Sequence, residues 1–173
     1  MVLELMKEEE FDEVFNILEN SFSKDEVRPY IYAKKLLSNP LYNIYVKKSE
    51  NGSIEAFITF WKLSGFDFIE YFAVKKELRG QDIGSSMINA YLEEENAWVI
   101  LEVEAYDTEL AKRRIAFYER LGFIYNDVGY IQPTYKYTHS KVPFKLMSYP
   151  KEISKKEFTD IKKEIFKNVY NIK

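Results

Sequence analysis

The residues with the clearest chemical potential lie in one loop, Arg79-Gly80-Gln81-Asp82-Ile83-Gly84-Ser85. The chain enters it from Phe66, Phe68, Ile69, Tyr71, Phe72 and Val74, an aromatic and β-branched run of strand length. It leaves into a segment where Ile83, Met87 and Tyr91 share one helical face, with Ile88 and Leu92 beside them. A strand that empties through such a loop into a helix N-terminus gathers backbone N–H groups and the positive end of the helix dipole, a combination that holds anions. Two glycines let the main chain turn sharply and come close to a phosphate. The same residues also read as a plain strand–helix connection, because short glycine patterns discriminate weakly. No Gly-Lys-Ser/Thr closes the turn, so it is not a P-loop, and the G-x-G-x-x-G dinucleotide fingerprint is absent.

The remaining chemistry is carried by acids and phenols. Glu102 and Glu104 project together from a later strand, where they could take a proton or hold a cation. Tyr130, Tyr135 and Tyr137 surround Pro133 and could offer an aromatic lining for a cation, or form a surface-packed cluster. There is no cysteine, which excludes disulfides, thiolate catalysis and Cys-ligated metals. His139 is the single histidine, so no multi-histidine metal site exists, and it reads as a solvated loop residue.

The elements that must position these groups follow from periodicity. Val2 to Met6 reads as a strand, and Phe11, Val14, Phe15, Leu18 and Phe22 recur at helical spacing. Ser23-x-x-Glu26 is a capping box that announces a second helical segment, restarted by Pro29 and stopped by Asn39-Pro40. Leu41 to Lys48 and Ile54 to Leu63 are strands joined by the hairpin turn Glu50-Asn51-Gly52-Ser53. After the central strand and its helix come a strand from Trp98 to Ala105 and a helix from Asp107 to Gly122, whose glycine suits a left-handed cap. Phe123 to Ile131 and Pro143 to Ser148 complete the strands. Ser154-x-x-Glu157 opens a last helix with Phe158, Ile161, Ile165 and Val169 on its apolar face. The order β-α-α-β-β-β-α-β-α-β-β plus a final helix predicts an α/β fold, a mixed sheet of about seven strands with helices on both faces.

At 173 residues the chain reads as a single domain over 1–150, with 151–173 a helical extension packed on it or on a partner subunit. A formal net charge of −3 gives no general case for nucleic acid or anionic membrane as partner. The acidic start without a long apolar run, and the lack of any transmembrane-length segment, lead us to expect a cytoplasmic protein.

Two stretches resemble one family. Phe72-Ala73-Val74 followed by Arg79, Gly80, Ile83 and Gly84-Ser85 is similar to motif A of the GNAT superfamily, the acetyl-CoA-dependent N-acyltransferases. Leu101-Glu102-Val103-Glu104-Ala105 followed by Phe117-Tyr118-Glu119-Arg120-Leu121-Gly122-Phe123 is similar to its motif B. Together they cover about residues 41–131, and the preceding elements fit as well. Asp82 departs from the family, which has Gly there, and places an acid beside the expected pyrophosphate. The Asn that many relatives carry before the tyrosine is missing, and Lys112-Arg113-Arg114 fills the extra turn.

The resemblance implies an N-acetyltransferase that moves an acetyl group from acetyl-CoA to an amine of a small molecule or peptide, as a monomer or homodimer, without metal. It implies a cofactor held by the backbone of Phe72, Ala73 and Val74 and by the loop Arg79, Gly80, Gln81, Asp82, Ile83, Gly84 and Ser85, with the central and Trp98 strands splayed. Tyr118 would be the general acid toward the CoA sulfur and the Val74 N–H would polarise the thioester carbonyl. Glu70 is the candidate general base, placed by strand alternation on the side of Phe72 and Val74, with a salt-bridged glutamate as its alternative reading. Glu102, Glu104, Tyr130 and Tyr135 are acceptor-site candidates. A non-catalytic acyl-CoA-binding or regulatory module on the same scaffold is the alternative, favoured by Asp82 and the missing Asn. A protein-interaction domain that docks through the last helix is a third reading, since fold alone does not fix function.

Overall fold

The computed structural model describes residues 1–105, 107–133 and 144–172. Seven strands run in chain order as β1 (Glu4–Leu5), β2 (Tyr42–Lys48), β3 (Ile54–Leu63), β4 (Phe66–Val74), β5 (Val99–Glu104), β6 (Ile124–Asn126) and β7 (Phe144–Tyr149). The α-helices are α1 (Phe11–Ser21), α2 (Tyr30–Lys35), α3 (Ile83–Glu95), α4 (Glu109–Arg120) and α5 (Lys155–Asn168). The strands form one mixed sheet in the order β1-β2-β3-β4-β5-β7-β6, as the element pattern predicts. The chain divides into two compact units, 1–62 with 69–96, and 63–68 with 97–173.

In the first unit, β1, β2 and β3 pair antiparallel, with Ile44 opposite Thr59 and Val46 opposite Phe57. Alternation along β2 sends Ile44 and Val46 into one core with Phe11, Val14, Phe15, Ile17 and Leu18 of α1, Phe57 of β3, and Tyr71 and Ala73 of β4. Tyr45 points the other way, where it stacks on Phe60, and both rings meet Tyr91 of α3. Helices therefore cover both faces of these strands, and the period-2 pattern decides which side chain meets which helix. Asn51-Gly52 turns the β2–β3 hairpin, with Gly52 at φ 86°, as its sequence predicts.

The capping box at Ser23-x-x-Glu26 behaves differently from its prediction. The Ser23 amide and hydroxyl both donate to Glu26 Oε2, at 2.9 and 2.7 Å, and the Glu26 amide donates back to the Ser23 carbonyl. A single turn results, not a helix. Pro29 lacks an N–H and biases residue 28 toward extended backbone, so α2 starts only at Tyr30.

In the second unit, β5 and β6 each pair antiparallel with β7. Thr108 caps α4 by accepting the Ala111 N–H at 3.0 Å, and Ala111 and Ile115 are buried. Gly122 takes φ 88° after α4, and a Cβ there would stand 3.2 Å from the Tyr149 ring. The predicted strand over 123–131 shrinks to Ile124–Asn126, because buried Asn126 turns its amide inward. Its Nδ2 donates to Ser148 Oγ and to the Ile124 and Leu146 carbonyls, while its Oδ1 accepts the Ile153 N–H. On α5, Ser154 and Glu157 complete the predicted capping box. Ile161, Ile165, Val169 and Tyr170 are buried, and Phe158 and Phe166 meet the Tyr130 ring within the unit.

Candidate functional site

The loop after β4 is built for close approach from solvent. A 3₁₀ turn over Lys76–Leu78 follows the strand, and Arg79 is extended. Gly80 then takes φ 81°, a backbone region a side chain disfavours, with no atom within 4 Å of where a Cβ would stand. Asp82 is also left-handed, at φ 58° and ψ 5°, and it precedes α3 without accepting a cap bond on its side chain. The first ladder bond of α3 runs from the Ser86 N–H to the Asp82 carbonyl. The amides of Ile83, Gly84 and Ser85 thus have no intrahelical acceptor and stand at the positive end of the dipole. The sharp turn expected from two glycines is made by Gly80 and Asp82 instead. Gly84 lies in the first helical turn, where its missing side chain keeps the amides approachable.

This backbone fits a pyrophosphate, and a family that has Gly at position 82 has the residue best suited to that left-handed geometry. Asp is among the few side chains tolerated there. Gln81 donates weakly to the Glu77 carbonyl at 3.5 Å. Arg79 is held on its own unit: Nε donates to the Val74 carbonyl and Nη2 to Ser21 Oγ, each at 3.1 Å. Phe72 is half-buried, and Ala73 and Val74 are buried.

Glu70 stands on the same strand in a different setting from that expected by alternation. Its side chain is 2% exposed, and Arg28 Nη2 donates to Oε1 at 2.6 Å while Trp61 Nε1 donates to Oε2 at 2.8 Å. The next residue, Tyr71, sends its hydroxyl to the Glu26 carbonyl at 2.6 Å, and its amide donates to Thr59 Oγ1. Consecutive residues of β4 therefore reach the same segment, 26–28, which a regular pleat forbids. The salt-bridged reading of Glu70 is the one the structure displays. Its partner Arg28 carried no sequence signal, since a buried arginine between Val27 and Pro29 breaks every apolar pattern.

Beside this pair opens a cavity of about 420 Å³, lined by Phe15, Glu19 and Phe22 of α1 and its end, by Lys24, Val27, Arg28 and Pro29 of the following loop, and by Tyr30. The α1 residues recur at i, i+4 and i+7, so they share one helix face.

In the second unit, Glu102 is a hub. It accepts from the Tyr130 hydroxyl, from Gln132 Nε2 at 2.6 Å and from the Tyr170 hydroxyl at 2.6 Å. Burial and the adjacent carboxylate push the Tyr130 phenol well above its ordinary pKa, so it remains a donor. Gln132 and Tyr170 were not anticipated; Tyr170, sixty-eight positions from Glu102 and just past the last helix, has no local signature. Glu104 is half-buried and lies opposite Phe144 in the β5–β7 ladder. Tyr118 is half-buried on α4, its ring against Phe117 and Phe123. Desolvation raises its phenol pKa above the usual value and Arg114 offsets part of that, so the proton is retained through neutral pH. Tyr135, Tyr137 and His139 lie outside the described residues. Among the described residues, no group of three or more His, Cys, Asp or Glu could hold a metal ion, and no helix is long and apolar enough to cross a membrane.

The comparisons with known proteins point one way. Residues 40–125 match the family model described as acetyltransferase (GNAT) domain. The Bacillus subtilis (strain 168) protein named "Putative acetyltransferase YjbC" is 28% identical over 159 residues, covering 90% of this chain and 80% of its own length. A solved Bacteroides thetaiotaomicron structure bearing the same designation within the GNAT family superposes with a TM-score of 0.90 at 25% identity, covering 100% of both chains. The Escherichia coli ribosomal-protein-S18-alanine N-acetyltransferase shares the fold, with a TM-score of 0.67 at 18% identity over 88% of this chain and 95% of that one. The loop geometry at the head of α3, the seven-stranded mixed sheet and these matches together place the chain in the GNAT acetyltransferase superfamily.

Proposed function

We propose that the protein is an acetyl-CoA-dependent N-acetyltransferase that acts on the amine of a small molecule or peptide. The observation that carries this reading is the β4–α3 connection, where Gly80 and Asp82 turn the chain so that three uncapped helix amides face outward. When bound, acetyl-CoA supplies a thioester carbon that accepts the amine lone pair as the C–S bond breaks. The chain's own contribution is to hold the pyrophosphate on Arg79–Ser85 and to offer the Val74 N–H to the carbonyl oxygen. Tyr118, which keeps its proton at neutral pH, is assigned as the donor toward the departing sulfur. Glu70 is the proton acceptor in this reading, and Arg28 and Trp61 fix its carboxylate in one orientation. A base bound by two donors is well oriented but less avid, so the amine must arrive largely neutral or displace one of them.

The test is release of free thiol from acetyl-CoA in the presence of polyamines, aminoglycosides, amino acids and peptides. Acceptor-dependent release, lost in Tyr118→Phe, is the expected result. Binding of acetyl-CoA with no release for any acceptor would instead favour the non-catalytic module.

A further inference from the structure

We propose that the cavity at the end of α1 is an acceptor pocket that selects an amine bearing both an apolar body and a carboxylate, the chemistry of an amino acid or short peptide, over a polyamine. This rests on the acetyltransferase reading and names its substrate class. Three observations place the cavity at the chemistry. Arg28 in its wall is bonded to Glu70, the candidate base, at 2.6 Å. Ser21, between the lining residues Glu19 and Phe22, is bonded to Arg79 of the donor loop at 3.1 Å. Tyr71, one residue beyond Glu70, packs edge-on against Phe22, another lining residue. The wall itself therefore touches the base through Arg28, and Ser21, next in sequence to the lining residue Phe22, carries the contact to the donor loop.

Its walls state the ligand. About 420 Å³ suits a small molecule. Phe15, Phe22, Val27, Pro29 and Tyr30 give it an apolar, largely aromatic surface. Its charged groups are one acid, Glu19, and two bases, Lys24 and Arg28. That leaves the lining at net +1, and counting Glu70 behind Arg28 brings it only to zero. A polycation finds no net attraction in such a site. A ligand with one ammonium and one carboxylate is matched: Arg28 and Lys24 face the carboxylate, and the aromatic walls take the side chain.

The experiment is isothermal titration of the full chain, with and without saturating CoA, using L-phenylalanine, L-phenylalaninamide, phenethylamine and spermidine as probes. L-phenylalanine should bind about tenfold or more tightly than the two probes that lack the carboxylate, the loss expected for one charge-assisted hydrogen bond. Spermidine should bind weakest. Arg28→Met should erase the preference for the acid. Because that change also breaks a buried ion pair, Lys24→Glu is the second variant; Lys24 is exposed, and reversing its charge should weaken the acid and strengthen phenethylamine. Equal binding of acid and amide, tighter binding of spermidine, no binding of any probe, or a ranking unmoved by Lys24→Glu would overturn the proposal. A preference for the acid in a protein that acetyl-CoA does not stabilise would fault the acetyltransferase reading alone. Stabilisation by acetyl-CoA without that preference would fault only the acceptor assignment.

Discussion

Asp82 is the position where the donor loop can be perturbed most cleanly, because its charge and its backbone act separately. Its left-handed conformation, φ 58° and ψ 5°, is unfavourable for most L-residues by roughly 1–2 kcal/mol and less for Asp. Asp82→Gly removes that strain but adds unfolded-chain entropy of about 0.5–1 kcal/mol, so stability should change little. The larger effect is on binding. A carboxylate about 6 Å from a phosphate charge in water costs about 0.7 kcal/mol per unit pair, and two such charges cost about 1.4 kcal/mol, roughly tenfold in affinity. Asp82→Asn removes the charge while keeping a residue that tolerates the backbone. Both variants should therefore bind acetyl-CoA about tenfold more tightly at low ionic strength, and the gain should shrink at about 1 M salt as screening shortens to about 3 Å. Calorimetric titration at the two salt concentrations reads this directly. Affinity unchanged in both variants at low salt would refute the placement of the pyrophosphate beside Asp82. A gain in Asp82→Gly alone would show that backbone, not charge, is the penalty.

Further outcomes follow from particular residues. Tyr118→Phe should lower kcat by about 10²–10⁴-fold with acetyl-CoA affinity intact, read by steady-state kinetics beside titration. The raised Tyr118 phenol pKa favours folding below its unfolded pKa of about 10, a contribution lost as pH rises through the folded value, so alkaline melts of wild type and Tyr118→Phe should diverge only above about pH 10. Arg28→Met should destabilise by about 3–5 kcal/mol in denaturant melts, since it strands Glu70 inside, and adding Glu70→Met should recover most of that loss. Deleting the chain beyond Pro150 should unfold or aggregate the protein, because α5 and its end bury Ile161, Ile165, Val169 and Tyr170; a soluble, equally stable truncation would show the helix dispensable. The Glu157 carboxyl is pushed down to about 2 by Lys151 and the Ser154 cap, so amide exchange in α5 should be protected above its usual pKa and lose protection as pH falls toward 2.

Much of the fold was legible because periodicity and punctuation agree. Each strand and α-helix of the described residues was expected in its place in the order, and Asn51-Gly52, Gly122 and Ser154-x-x-Glu157 act in the structure as their chemistry predicts. Local rules failed where a distant partner decided. Ser23-x-x-Glu26 makes its bonds, yet Pro29 denies the helix its continuation. The strand after Phe123 ends at Asn126 because that side chain bonds to β7 and to Ile153. Alternation along β4 breaks at Glu70 and Tyr71, so a position inferred from a period of two moved to another neighbourhood. At the site, the donor loop was visible because glycine spacing is local. Arg28, Trp61, Gln132 and Tyr170 were not, because a residue that serves a carboxylate far along the chain leaves no pattern of its own.

The most direct test of the central claim is the thermal shift of wild type and Gly84→Val with acetyl-CoA. At about a hundred times its dissociation constant, a ligand that binds only the folded state stabilises by about 2.7 kcal/mol, which raises Tm by about 5–10 °C for a chain of this size. Gly84→Val places a branched side chain over the α3 amides, and it should melt like wild type without ligand while showing no shift with it. No shift in wild type at millimolar acetyl-CoA, or the same shift in Gly84→Val, would contradict an acyl donor held at Arg79–Ser85.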